Sequence, residues 1–170
     1  MDPAMERHEA LLPVMQKIAY LKRDGIPCKI EEGLYLGSVG AAMNRSTLKS
    51  LNITHVLMVA NSLSPPYPSD FVYKVISVSD RADADISQNF EECFQFIDEA
   101  KRSGGVLVHC FMGRSRSVTI VLAYLMKKNG ISLAQALEHV RSQRRGVEPN
   151  AGFFSQLKNL EKTLQVGRME

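Results

Sequence analysis

The chain has 170 residues, 45% of them apolar and 23% charged, a composition that suits one folded domain and excludes a low-complexity or disordered segment. Its net charge of +3 is too small to argue for nucleic-acid binding, and no apolar run approaches the length of a membrane span. Three cysteines without framework spacing exclude a disulfide-stapled scaffold and point to a reducing compartment, cytoplasmic or nuclear.

Residues 1–25 read as an N-terminal extension of helical character, with Met1-Asp-Pro-Ala-Met5 set aside as an expression remnant because a second methionine follows at once. Leu11, Val14, Met15 and Ile18 fall at helical spacing, Leu12, Ala19 and Leu21 widen the stripe, and Arg7, Lys17, Lys22 and Arg23 supply charge. Pro13 interrupts the pattern. A basic amphipathic segment over residues 6–23 suits calmodulin binding; the plainer reading is a helix packed on its own domain. Leu34–Leu36 is a short strand candidate, Val39–Leu51 reads as a helix, and His55–Ala60 as a buried strand. The turn-rich loop Asn61–Asp70 leads to another strand, Tyr73–Val78. Phe90, Cys93, Phe94 and Ile97 share one face of a helix that begins near Ser87 and stops at Gly104-Gly105. Val106–His109 is a strand and Ser117–Lys128 a helix ended by Gly130. Ser132 and Gln135 form a capping box before a helix bearing Leu133, Ala136, Leu137 and Val140. A last helix carries Phe153, Phe154, Leu157, Leu160 and Leu164. Strands alternating with helices predict an α/β fold: a single domain with a mostly parallel central sheet of about four to five strands flanked by helices. A ligand then belongs beyond the carboxyl ends of the strands.

The densest signal is Val106-Leu-Val-His-Cys-Phe-Met-Gly-Arg-Ser-Arg-Ser117. It delivers Cys110 from a strand into a short loop that closes on a helix start. Backbone N–H groups of such a loop, together with the helix N-terminus, favour an anion. The thiolate is the reactive form of cysteine, and the same field favours it. Arg116 offers a planar fork for two phosphate oxygens. Cys110 is thus a candidate nucleophile for in-line attack on phosphorus, with Phe111, Met112, Gly113, Arg114, Ser115 and Arg116 cradling the phosphate and stabilising its equatorial oxygens. The leaving oxygen needs a proton, so a carboxylic acid is required nearby. Asp80, Asp83 and Asp85 all follow the strand ending at Val78, and spacing does not choose among them; Asp85 also reads as the cap of the next helix. His8, His55, His109 and His139 show no metal-ligand spacing, and no metal or cofactor is called for.

With His109-Cys110, Gly113 and Arg116-Ser117 in register, the chain resembles the cysteine-based protein phosphatases, whose signature is His-Cys, two residues, Gly, two residues, Arg, then Ser or Thr. The resemblance runs from about Cys28 to Leu164 and includes Glu32-Gly-Leu-Tyr-Leu-Gly-Ser38 and Ile53-Thr-His-Val56. It is strongest to the compact dual-specificity members, the small plant ones above all. It sets a catalytic domain at residues 26–166 and leaves 167–170 as a tail. It implies the cysteine-phosphatase fold and hydrolysis of phosphotyrosine and phosphoserine/threonine in proteins, with mitogen-activated protein kinases as a candidate substrate class. It also implies Asp80 as the acid, Ser117 as a hydrogen-bond partner easing departure of the Cys110 sulfur, His109 as an organiser of the loop, and Asn150 as a brace at the start of the last helix. Arg114 keeps a phosphoinositide or inositol phosphate substrate as the alternative, against which the apolar Phe111 argues. A phosphate-binding protein without turnover is the remaining reading, and no residue of the motif is missing to support it.

Overall fold

The structure, a computed structural model, describes residues 15–16, 19 and 22–169. Its strands are β1 (Cys28–Glu31), β2 (Leu34–Gly37), β3 (Ile53–Val59), β4 (Val72–Ile76) and β5 (Gly105–His109). Its helices are α1 (Val39–Ala42), α2 (Arg45–Ser50), α3 (Phe90–Ser103, preceded by a 3-10 turn at Ser87–Asn89), α4 (Arg116–Asn129), α5 (Leu133–Gln143) and α6 (Ala151–Met169). One five-stranded sheet has the order β1-β2-β5-β3-β4. β2, β5, β3 and β4 run parallel, and β1 adds an antiparallel edge. This is the α/β fold expected from the alternation of strands and helices.

The alternation of side chains across the sheet decides which helices lie on which face. Leu34, Leu36, Leu57, Val106 and Val108 face a core shared with α3, α4, α5 and α6. Tyr35, Val56 and Leu107 face the opposite, smaller core, where Ala41, Ala42 and Leu48 of α1 and α2 cover them. β5 is buried along its whole length, which is why it reads as an unbroken apolar run. In α4 every residue from Ser117 to Met126 is buried. The central strand and the most buried helix are therefore consecutive in the chain, and the loop between them is fixed at both ends.

Three elements differ from the sequence reading. β1 is a four-residue edge strand with only Ile30 buried, too short to produce a pattern. The expected helix over 39–51 is broken into α1 and α2. Asn44 leaves the helical region (φ −92°, ψ 71°) and its side-chain amide donates to Gly25 O at 2.7 Å. That bond competes with continuation of the helix. The last helix runs on to Met169, through residues read as a tail.

Gly152, in the first turn of α6, lies against the backbone of Ala82, two residues beyond Asp80, with no room for a Cβ. Gly152→Ala is expected to force α6 and the 79–85 loop apart at a cost of roughly 1–3 kcal/mol. Differential scanning calorimetry should show a fall in the thermal midpoint on the order of 5 °C; an unchanged midpoint would contradict the close approach.

Candidate active site

The loop from Cys110 to Ser115 joins β5 to α4. Each of its carbonyls accepts a hydrogen bond from outside the loop. The Cys110 carbonyl pairs with His109 Nδ1 at 3.0 Å, and that of Phe111 accepts from Val39 N at 3.0 Å. The Met112 and Gly113 carbonyls accept from Arg144 Nη2 and Nε at 3.0 and 2.9 Å. Glu148 N donates to Arg114 O at 2.7 Å, and Thr119 donates to Ser115 O from both its amide (2.9 Å) and its hydroxyl (2.7 Å). A trans peptide carries its N–H on the side opposite its C=O, and no peptide among the described residues is cis. Tying the carbonyls outward turns the amides inward. Gly113 makes the tightest part of the turn, at φ +69°, with Gly37 O and Arg144 Nη2 each 2.6 Å from where a Cβ would stand.

Cys110 sits in this ring and is 2% exposed. Its Sγ accepts from Gly113 N at 3.2 Å and shares a 3.1 Å hydrogen bond with Ser117 Oγ, in the first turn of α4. Arg116 is anchored by Nη1, which donates to Asn61 Oδ1 at 3.1 Å and to Val78 O at 3.2 Å. Its Nε is buried and lacks a hydrogen-bond partner among the described residues. A buried cationic donor without an acceptor is costly, and an oxyanion in the loop would satisfy it.

Asp80 leaves β4 just past its carboxyl end and is exposed. Its Oδ1 accepts from Ser115 Oγ at 2.8 Å and from Asn150 Nδ2 at 2.9 Å. Asn150 also caps α6, its Oδ1 accepting from Phe153 N at 2.9 Å, and its own amide donates to Ser115 Oγ at 3.0 Å. Asp83 pairs with Arg81 at the surface, and Asp85 accepts from Ser87 Oγ and Gln88 N at the following turn. Of the three carboxylates that sequence spacing left open, Asp80 is the one brought to the loop. It lines a cleft of 470 Å³ together with Asn61, Leu63, Phe111, Met112 and Arg116. Arg114 is exposed, and its Nε donates to Gly146 O at 3.0 Å.

His109 is fully buried. A carbonyl only accepts, so the proton of the neutral ring sits on Nδ1, facing Cys110 O. Burial pushes the imidazole down to about 4, against the raising effect of that hydrogen bond and with the Arg116 charge adding to the fall. The ring is therefore neutral at physiological pH.

Sequence reasoning missed Asn61, Val39 and Arg144. Asn61 follows β3 at its carboxyl end, where topology directs ligands, and that position was its only signal. Arg144 lies beyond a helix legible only by its cap and its apolar face, and nothing in its spacing marks it as buried. Among the described residues, no group of three His, Cys, Asp or Glu side chains is placed to hold a metal ion, and no helix is long and apolar enough to cross a membrane.

Residues 34–163 match the family model of the dual specificity phosphatase catalytic domain. The chain is 58% identical over 159 residues to dual specificity protein phosphatase 1 of Arabidopsis thaliana, covering 93% of this chain and 80% of that protein. It is 45% identical over 139 residues to MAP kinase phosphatase with leucine-rich repeats protein 1 of Dictyostelium discoideum, covering 82% of this chain and 16% of that longer protein. Among solved structures it is similar to a human tyrosine phosphatase-like serine/threonine/tyrosine-interacting protein, with a TM-score of 0.80 and 31% identity over 83% of this chain and 99% of that one.

The His109 shift carries a pH consequence. Its folded value, about 4, lies below the value of about 6.5 for an unfolded histidine. The unfolded chain then binds a proton that the folded one refuses. The stabilisation is complete above pH 6.5 and is lost as pH falls toward 4, by up to about 3 kcal/mol. Urea titrations across that range should show a shallower decline for His109→Gln than for the native chain; parallel declines would refute the buried neutral ring.

Proposed function

The chain belongs to the dual specificity phosphatases, and from that premise we propose that Cys110, Arg116, Asp80 and Ser117 carry its reaction. The family's reaction hydrolyses phosphotyrosine and phosphoserine/threonine through a phosphocysteine intermediate. In the first step the Cys110 sulfur attacks phosphorus, the S–P bond forms, and the bond to the leaving oxygen breaks as Asp80 gives that oxygen its proton. The inward amides of residues 111–116 and the Arg116 fork hold the equatorial oxygens. Because Asp80 Oδ1 is occupied by Ser115 and Asn150, the transferable proton belongs on Oδ2. In the second step water attacks phosphorus, its proton passes to the Asp80 carboxylate, and the sulfur leaves as a thiolate, eased by the Ser117 hydroxyl. The observation that carries this reading is the Cys110 sulfur facing Gly113 N and Ser117 Oγ at the floor of a loop whose carbonyls are all tied outward.

The rim of the cleft favours a protein substrate. Leu63, Phe111 and Met112 border it, and Arg114 is turned to Gly146 O. Apolar walls suit an aryl or peptide side chain better than a polyanionic headgroup. Mitogen-activated protein kinases are the proposed class, supported by the name of the Dictyostelium relative. A working thiolate needs a reducing compartment, cytoplasmic or nuclear, which suits the free thiols of Cys28 and Cys93. Calmodulin binding through residues 6–23 is proposed on the basic amphipathic pattern of that segment, most of which lies outside the described residues. Calcium-loaded calmodulin should retain the full chain and a 6–23 peptide at micromolar concentration; a failure of both would end that proposal.

Turnover of an aryl phosphate should persist in chelator and vanish in Cys110→Ser. Asp80→Ala should lower kcat on the order of 100-fold or more, with the larger loss on phosphoserine peptides, whose alkoxide needs the proton most. Ser117→Ala should slow breakdown of the intermediate more than its formation, giving a burst in rapid-quench kinetics. Clear release of phosphate from phosphoinositides with weak action on phosphopeptides would transfer the reading to a lipid or inositol phosphate.

A further inference from the structure

The guanidinium of Arg144 is the largest charged group buried beside the phosphate loop that the reaction does not use. It follows the last residue of α5, is 7% exposed, and has an extended backbone (φ −142°, ψ 115°) that turns it back under the loop. Its Nη2 donates to Met112 O at 3.0 Å and its Nε to Gly113 O at 2.9 Å. The other side of the fork meets Asp24, Nη1 to Oδ1 at 3.0 Å and Nη2 to Oδ2 at 2.7 Å. Nη1 also lies 3.6 Å from Cys28 Sγ. Burial works against its charge, and the carboxylate of Asp24 more than restores it.

The peptide between Met112 and Gly113 stands between this cation and the sulfur. Its carbonyl accepts from Arg144, and its amide is the Gly113 N–H that donates to Cys110 Sγ at 3.2 Å. A peptide group is one conjugated unit. A charged donor at its oxygen draws electron density away from its nitrogen and strengthens the N–H as a donor; hydrogen bonds in such a chain reinforce one another. We infer that Arg144 is a positioning residue for the reaction, acting on the Cys110 sulfur through the Met112–Gly113 peptide, and that Asp24 sets how strongly it acts. The inference rests on Cys110 as the nucleophile.

Two roles are combined. The fork fixes two loop carbonyls, so the amides stay inward without substrate. Its positive charge polarises the one amide that touches sulfur. Asp24 supports the first role by holding the fork in place and opposes the second by cancelling part of the charge. A brace and a relay therefore predict different signs for changes at Asp24. Asp24→Asn keeps an oxygen for Arg144 and removes the negative charge. A brace alone would be loosened, whereas a relay would be strengthened.

The experiment compares the full native chain with Arg144→Met, Arg144→Lys and Asp24→Asn. Carboxamidomethylation of Cys110 by iodoacetamide, at one pH on the rising limb of the native chain's rate–pH curve where the rate follows the thiolate fraction, is followed by mass spectrometry of the Cys110 peptide, which separates it from Cys28 and Cys93. The reagent is neutral, so its rate reads the sulfur and not anion binding, and it needs no turnover. A failure of the phosphatase reading would therefore leave this comparison standing. Arg144→Met should slow alkylation and lower kcat at least tenfold, an effect of the size of losing hydrogen bonds to a charged group, with KM changed less. Arg144→Lys, which keeps the charge but loses the fork, should restore part of the alkylation rate. Asp24→Asn should raise the rate roughly two- to threefold, the scale expected of cooperative polarisation through one peptide. Native rates in Arg144→Met, or slowing in both Arg144→Met and Asp24→Asn, would overturn the inference. Should Arg144→Met fail to fold, Asp24→Asn decides alone, since an unchanged or slower alkylation there removes the relay.

Discussion

The site depends on the planarity of the peptide bond. From Cys110 to Ser115 the carbonyls are taken in turn by His109, Val39, Arg144, Glu148 and Thr119, with Arg144 taking two. These donors come from β5 itself, the start of α1, the end of α5, the segment before α6, and α4. The loop is thus the point where sheet and helices from both faces meet. Each carbonyl bound on the outside commits an amide to the inside, and that commitment is made during folding. Donors already aimed at the place where charge develops need no reorganisation when the reaction occurs. The same bonds meet the general demand that buried backbone groups be paired, so the requirement of the fold and that of the chemistry coincide.

The polar groups left over inside the loop are informative for the same reason. Arg116 Nε is buried without an acceptor although its neighbour Nη1 has two, from Asn61 and Val78. An unsatisfied buried donor of this kind costs roughly 1–3 kcal/mol or more when charged. An oxyanion in the loop would relieve that cost without any change in the position of the guanidinium. His109 Nε2 is likewise buried without a partner among the described residues, but its ring carries no charge. Its buried neutral ring adds no positive charge beneath the sulfur and spends its one proton on the Cys110 carbonyl. The positive field of the loop comes from amide dipoles and the Arg116 guanidinium.

What the sequence revealed follows the range of the interactions involved. Local patterns were readable. β5, the loop and α4 are contiguous, and the spacing of His109, Cys110, Gly113 and Arg116 expresses one turn of backbone. The Ser132–Gln135 capping box is likewise a four-residue motif, and the structure contains it. The sheet was readable as a class because strands and helices alternate, whereas β1 was not, since its antiparallel pairing with β2 depends on a turn at Glu32-Gly33 and not on its own side chains. The break at Asn44 was hidden because its cause, the carbonyl of Gly25, lies 19 residues away. Arg144 and Asp24, 120 residues apart, were hidden for the same reason. Asp80 was separable from Asp83 and Asp85 by family resemblance but not by spacing, because the groups that hold it are Ser115 and Asn150, 35 and 70 residues downstream.

That last contact also fixes an exposed carboxylate beside the loop that holds a buried sulfur. Asp80 sits on a loop beyond an edge strand, where position is poorly defined by packing. The Ser115 hydroxyl belongs to the Cys110 loop itself; it donates to Asp80 and accepts from the Asn150 amide. Asn150 in turn is the cap of α6. Asp80 is therefore located relative to the Cys110 loop by a residue of that loop, and relative to the domain by a helix cap. Asn150 bonds to Asp80 and to Ser115 at once, so the carboxylate and the loop share one anchor on α6. Precision at this site comes from hydrogen bonds that share atoms, with Ser115 Oγ and Asp80 Oδ1 each serving two partners.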